Sequence, residues 1–469
     1  MRTLLIRDGM VFRGGQTQAP AMLGYVQVRG EQVTAVGDGA PPERLAAEAD
    51  EVISAAGQAV IPGLINAHTH LFQTFMRGLA DDKPLLRWLE AAIWPGSLAM
   101  TEEDFYLAAL LGFAENLKCG ATSVLSQHYI QTSAGNMDAV AEAARRSGAR
   151  ARLARGFADR DPYHPALQET PETVVRETER LVRHWNTSGS RVQVEFGPLI
   201  PWGCRGDTLQ TIARLAREWN IGVHIHLGET RAEVQMTLDE TGQRPAAWLA
   251  SLGVLDERWQ LVHCVWLDDE ELRLIAGAGS TIVHCPVSNM YLASGVPQVV
   301  DWRRLGIPTA LATDGPGSNN SQDMLEVLKF TACLQKVDQL DATALLPHQV
   351  LEMAYAGGAR AMGLGEEIGR LAPGAQADLV LVNLRRPHIS PVHSVASALV
   401  YNANGNDVDT VLVGGQVLVR GGQLTTLDET GLIADCQRAA EKMCDRAGIK
   451  TETRPAATAA GEDWQREPR

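Results

Sequence analysis

The chain has 469 residues, 45% hydrophobic and 21% charged, with a formal net charge of -14. That length supports a large core and two or three domains, and the acidic balance argues against nucleic acid as a partner, because phosphate binding needs clustered Lys and Arg. Cys119, Cys204, Cys264, Cys285, Cys333, Cys436 and Cys444 form no CxxC pair and read as reduced core residues, as in a cytoplasmic protein. The apolar run at Leu4-Leu5-Ile6 is too short and too close to charge for a signal segment, and no stretch reaches membrane-span length, so no membrane partner is expected.

In chain order, residues 1–62 read as short strands joined by Gly-rich turns: Thr3 to Ile6, Gly24 to Val28 and Gln32 to Val36 are antiparallel β material. From 63 to 368 short apolar strands alternate with helical segments, among them Glu102 to Lys118, Met137 to Ser147, Glu172 to Trp185, Asp207 to Trp219 and Asp268 to Ala276. Such alternation predicts a parallel sheet closed as a (β/α)8 TIM-like barrel. Strand character returns over 369–425, at Ala377 to Val382, Val408 to Val413 and Gln416 to Val419. The barrel is therefore expected to be inserted in a small β-sandwich built from both chain ends. A C-terminal helix is expected over 426–450, followed by a disordered tail at 451–469 rich in Ala, Thr, Pro and charge.

The chemistry concentrates at strand ends. His68 and His70 close the apolar run Ala59 to Ala67, and an i, i+2 pair on a strand points both imidazoles to one side. His226, Glu229, His263 and Asp314 each follow a further short apolar run. Polar, metal-competent residues recurring at strand ends are what a hydrolytic metal site at a barrel mouth needs. His224 shares a face with His226, as a group behind the site or a bystander. His128 ends the run Thr122 to Leu125, with equal weight on a pocket residue and an ordinary loop histidine. Phe72, Trp88, Trp94 and Trp202 fall near the expected mouth, where flat rings stack on aromatics, though Trp88 equally suits a helix core. Gln73 is placed to hydrogen-bond a ring nitrogen.

The segments PGLINAHTH, HIHLGET, LVHCV, ALATDG and GRLAPGAQADLVLV resemble, in order and over nearly the whole chain, the amidohydrolase superfamily. RGLADDKPLLRWLEAAIWP, TDGPGSNNSQDM and YNANGNDVDTVLVGGQVL are most similar to its branch of 5-methylthioadenosine/S-adenosylhomocysteine deaminases and s-triazine hydrolases. The resemblance implies one divalent metal, Zn2+ before Fe2+, on His68, His70, His226 and Asp314. It implies Glu229 as a proton shuttle and His263 as a partner of the attacked ring or water, with Asp314 able to take the water's proton. The implied activity is deamination of an amino-substituted N-heterocycle. Its alternatives are release of chloride or alkylamine from a triazine, and nucleoside deamination. A homo-oligomer, dimer or higher, is also implied.

Two positions depart from the nucleoside deaminases. Ser97 stands where they carry a ribose-binding glutamate, and Leu199 where they carry a histidine near the purine, while Arg155 of their "RG" motif is kept. Each lost anchor is worth about 1–3 kcal/mol when its partner is desolvated, so a small free heterocycle is expected to be the better substrate.

Overall fold

A computed structural model describes residues 1–15 and 19–451. The tail expected at 451–469 lies outside the described residues except for Thr451.

Eight parallel strands form the barrel: β6 (Leu64–Thr69), β7 (Ala121–His128), β8 (Arg150–Phe157), β9 (Val192–Pro198), β10 (Val223–Leu227), β11 (Trp259–His263), β12 (Thr281–His284) and β13 (Thr309–Leu311), each paired with its sequence neighbour. In β6, β7 and β10 to β13 every residue is buried. Helices cover their outer faces and side chains fill the inside, so even the polar residues of these strands are buried, as at His224 and His226 of β10 and Gln127 and His128 of β7. The five expected helices are present as Glu102–Lys118, Asn136–Ser147, Pro171–Trp185, Gly206–Trp219 and Asp269–Ala278. Their ends follow local chemistry. Thr101 with Asp104, and Asp268 with Glu271, close capping boxes; Gly148 and Gly279 end helices in the left-handed region.

Between β13 and β6 no strand ladder forms, and side chains close the seam. The Asp314 N–H donates to the His68 carbonyl at 3.1 Å. Asn66 accepts from the Thr313 N–H at 3.1 Å and donates to Thr313 Oγ1 at 2.8 Å and Asn116 Oδ1 at 3.0 Å. Gln322 accepts from Thr69 Oγ1 and donates to the Asp314 carbonyl, both at 2.8 Å. Each of these buried polar groups finds a partner, as buried polar groups require.

The two chain ends meet in one nine-stranded mixed sheet. It contains β1 (Thr3–Val11), β2 (Met22–Arg29), β3 (Gln32–Asp38), β4 (Glu51–Ser54) and β5 (Gln58–Pro62) from the start of the chain. From its end come β14 (Leu379–Asn383), β15 (Val408–Val413), β16 (Gln416–Arg420) and β17 (Gln423–Leu424). β5 and β14 join the halves as an antiparallel pair. The opening segment is not wholly antiparallel as expected: β1 pairs with β2 antiparallel but with β4 and β5 in parallel. The 12-residue connection from β3 to β4, with its helix Glu43–Ala47, is long enough for such a crossover. The sheet curls back on itself, since Val33 of β3 exchanges hydrogen bonds of 2.9 Å with Gly374 and Ala375, just before β14. Leu4, Ile6, Val26, Leu379 and Leu412 thereby share one core. The C-terminal helix, Glu429–Ala447, lies against Glu102–Lys118 and is tied to it by the Lys118–Glu429 and Arg446–Asp104 ion pairs.

Candidate active site

His68, His70, His226, His263 and Asp314 converge at the C-terminal ends of β6, β10, β11 and β13. Two overlapping triads arise, His68/His70/His226 and His68/His263/Asp314, with the ligand-capable atoms of each within 4.8 Å of one another. Asp314 Oδ1 lies 3.3 Å from His68 Nε2 and 3.5 Å from His70 Nε2. His70 Nδ1 faces the Gln127 carbonyl at 2.8 Å and His226 Nδ1 the Leu199 carbonyl at 2.9 Å. A carbonyl only accepts, so both rings carry their proton on Nδ1 and keep a lone pair on Nε2. Those two Nε2 atoms stand 3.2 Å apart, and His68 Nε2 is buried without a hydrogen-bond partner. Lone pairs crowded this way repel unless a cation lies among them, so the donor set fits a divalent metal.

Burial holds all three imidazoles in their neutral form: the pKa of His70 falls to about 3, and those of His68 and His226 are lowered too. Burial alone would raise the Asp314 carboxyl, but His68, His263 and His70 outweigh it and hold it well below its usual range. Neutral imidazoles with one carboxylate are the protonation states metal binding requires. His224 stands directly behind, its Nε2 2.7 Å from His68 Nδ1.

Glu229 is fully enclosed beside this cluster. Its pKa is pushed up to about 8 by burial and by Asp314, against a lowering hydrogen bond from Ser294 Oγ to its Oε1 at 2.9 Å. Glu229 Oε2 is 3.5 Å from His263 Nε2. His263 is oriented from behind by Asn289, whose Oδ1 is 2.9 Å from Nδ1. His263, Cys264 and Asp314 adopt φ of 69°, 51° and 66°. Left-handed backbone at non-glycine residues carries strain, and here it falls at the ends of β11 and β13, where His263 and Asp314 join the cluster.

A cavity opens over this group. Of the seven expected substrate contacts, Gln73, Trp88, Leu199 and Trp202 line it. Trp88 is also largely core, its indole N–H donating to the Gly317 carbonyl at 2.8 Å. Ser97, His128 and Arg155 do not line it. Ser97 is wholly buried in the short helix Trp94–Leu98. His128 points outward from the barrel, its ring packed on Phe72 and Phe105. The Arg155 guanidinium is consumed by Glu169, with contacts of 2.8 and 2.6 Å. Four further groups went unnoticed in the sequence: Asn289, Ser294, Tyr163 and Glu233. The first two lie in 285–295, which has neither helical nor strand periodicity to mark it, and Glu233 reads locally as an ordinary helix-capping residue.

The sequence model described as the amidohydrolase family matches residues 59–418. A protein named 5-methylthioadenosine/S-adenosylhomocysteine deaminase from Syntrophomonas wolfei is 36% identical over 422 residues, covering 90% of this chain and 94% of that one. The crystal structure of an adenosine deaminase from Xanthomonas campestris with bound zinc is 32% identical and superposes with a TM-score of 0.87, covering 94% and 98% of the two chains. An atrazine chlorohydrolase from Arthrobacter aurescens complexed with zinc, 23% identical, shares the fold at a TM-score of 0.88 over 93% of this chain and all of the other.

Proposed function

We propose that this chain, which belongs to the amidohydrolase family, is a metal-dependent hydrolase that removes ammonia from an amino-substituted N-heterocycle, with Zn2+ held by His68, His70, His226 and Asp314. The observation that carries the reading is the pairing of the histidine–aspartate cluster with a second carboxylate, Glu229, buried beside it and 3.5 Å from His263, whose pKa burial and Asp314 raise to about 8. When bound, the ion makes water a nucleophile near neutral pH by lowering its pKa from about 16 to about 7.

The chain's own residues supply the rest. Asp314, held ionised by its imidazole neighbours, accepts the proton of the attacking water. Glu229 carries a proton and offers it to the ring nitrogen next to the attacked carbon. It then takes up the proton from Asp314 and passes it to the departing amine, and as ammonia leaves the proton of the new hydroxyl returns to Glu229, so that a ring carbonyl remains and both carboxylates regain their starting states. His263, with its Nδ1 proton engaged by Asn289 Oδ1, presents its Nε2 lone pair to accept from the new hydroxyl on the attacked carbon. Trp88, Leu199 and Trp202 enclose the ring and keep bulk water from the reacting carbon.

The experiment is ammonia release from 6-aminopurine nucleosides, adenine, pterins and aminotriazines, before and after chelation and reloading with zinc. Release that disappears with the chelator and returns with zinc is expected for at least one amino-heterocycle. Chloride release from chlorotriazines with no ammonia from any amine would replace this reading with the dechlorinating one.

A further inference from the structure

His224 touches the metal cluster through one ring nitrogen and leaves the other unexplained. Its Nε2 lies 2.7 Å from His68 Nδ1, while its Nδ1 is buried without a hydrogen-bond partner. Gln260 is its neighbour in register on β11 and is 4% exposed. Neighbours in register on parallel strands carry their side chains on the same face. His224 Nδ1 turns toward the Gln260 amide without closing a hydrogen bond. The Gln260 Nε2 donates to the Arg258 carbonyl at 2.9 Å. A carbonyl only accepts, so the amide cannot be reversed. The atom left for His224 is therefore Gln260 Oε1, itself buried and unpartnered. Gly222 keeps the place open, since a Cβ there would meet Gln260 Nε2 at 2.9 Å and Glu195 Oε2 at 2.2 Å.

The two histidines can arrange their protons in two ways. In the first, His68 carries its proton on Nδ1 and donates it to His224 Nε2, and the His68 Nε2 lone pair stays free toward the cluster. His224 then carries its own proton on Nδ1 and needs an acceptor there. In the second, His224 Nε2 donates to His68 Nδ1, and the His68 proton sits on Nε2, 3.3 Å from Asp314 Oδ1. That arrangement puts a proton where a metal would bind. What faces His224 Nδ1 decides between them, and an amide oxygen accepts a proton but has none to give. We propose that Gln260 is a positioning residue for the metal site: its Oε1 holds the His224 proton on Nδ1 and so keeps His68 Nε2 open to the ion. The inference rests on the reading of His68 as a metal ligand and is independent of the substrate.

The test needs no turnover. Nitrogen NMR of the metal-free full chain with isotope-labelled histidine reads which ring nitrogen is protonated, and the His224 signals are identified by their loss in His224→Phe. In wild type the His224 proton should sit on Nδ1, and in Gln260→Leu it should move to Nε2. Zinc affinity, read by chelator competition, should fall about 10- to 100-fold in Gln260→Leu, the range for a group that supports a metal ligand. Gln260→Glu should stay near wild type, since a protonated carboxyl donates to the Arg258 carbonyl and still accepts from His224. In a His224→Phe background, Gln260→Leu should cause no further loss. A wild-type His224 proton on Nε2, an unchanged zinc affinity in Gln260→Leu, or an equal loss in the His224→Phe background would each overturn the proposal while leaving the metal reading in place. The wild-type spectrum decides the matter even if Gln260→Leu fails to fold. Wild type that takes up no zinc would remove the metal reading and this proposal with it.

Discussion

At the scale of single residues, the proposed site separates groups that would hold a metal from one that would move a proton. Glu229 touches His263 and Ser294 and lies outside both metal-competent triads. Glu229→Gln is therefore expected to keep its metal by elemental analysis while turnover falls about 10²- to 10⁴-fold. A near-normal kcat would mean that the proton travels another way. His224 tests the opposite kind of role. Through its 2.7 Å contact with His68 it orients a ligand, and such supports are worth about 10- to 100-fold in metal affinity. His224→Phe should weaken zinc by that factor in a chelator competition, and unchanged affinity would show that packing alone fixes the His68 ring.

At the scale of elements, close approach decides what each glycine tolerates. Gly357 ends the helical stretch Met353–Gly357, and a Cβ there would meet the Thr309 carbonyl of β13 at 1.9 Å. Its φ of -62° suits any residue, so only the contact matters. Gly357→Ala should cost about 1–3 kcal/mol, read as a lower urea midpoint with unchanged slope. Gly277 is the control: it is exposed within Asp269–Ala278 and has open space around its Cβ position. Gly277→Ala should stabilise by about 0.5–1 kcal/mol, because it removes backbone entropy from the unfolded chain and meets nothing in the folded one. A loss of stability at Gly277 would contradict that account. The five barrel helices named from the sequence were legible to within two residues, since their caps and apolar faces are local, while the C-terminal helix is three residues shorter at each end than the expected 426–450. The parallel pairing of β1 with β4 and β5 was not, because either orientation buries the same apolar residues.

At the scale of the whole molecule, the barrel and the sheet of the chain ends are bound by a buried ion pair. Arg150 of β8 reaches Asp378, just before β14, with contacts of 2.9 and 3.2 Å, and Asp378 also accepts from the Gly414 N–H at 2.7 Å. The two side chains are 11% and 2% exposed. Arg150→Met strands a buried carboxylate and should cost about 3–5 kcal/mol in equilibrium unfolding, with part of the loss recovered when Asp378→Asn is added. A cost below about 1 kcal/mol would mean that the apolar contacts between barrel and sheet hold the two parts together without this pair.

Strand periodicity and the residues that end each run were enough, from the sequence alone, to locate His68, His70, His226, His263 and Asp314 at one barrel mouth. Direction along a strand and the side on which each residue falls are local properties. The tertiary structure decided which atoms meet. Leu199 and Gln127 act through backbone carbonyls, whatever their side chains, and Asn289 and Ser294 reach His263 and Glu229 across 26 and 65 residues of chain. It also decided that Arg155 and Ser97 lie outside the cavity lining while Glu233 is part of it. Such pairings depend on how neighbouring loops are displaced at the barrel rim, and no periodic pattern in the chain records that displacement.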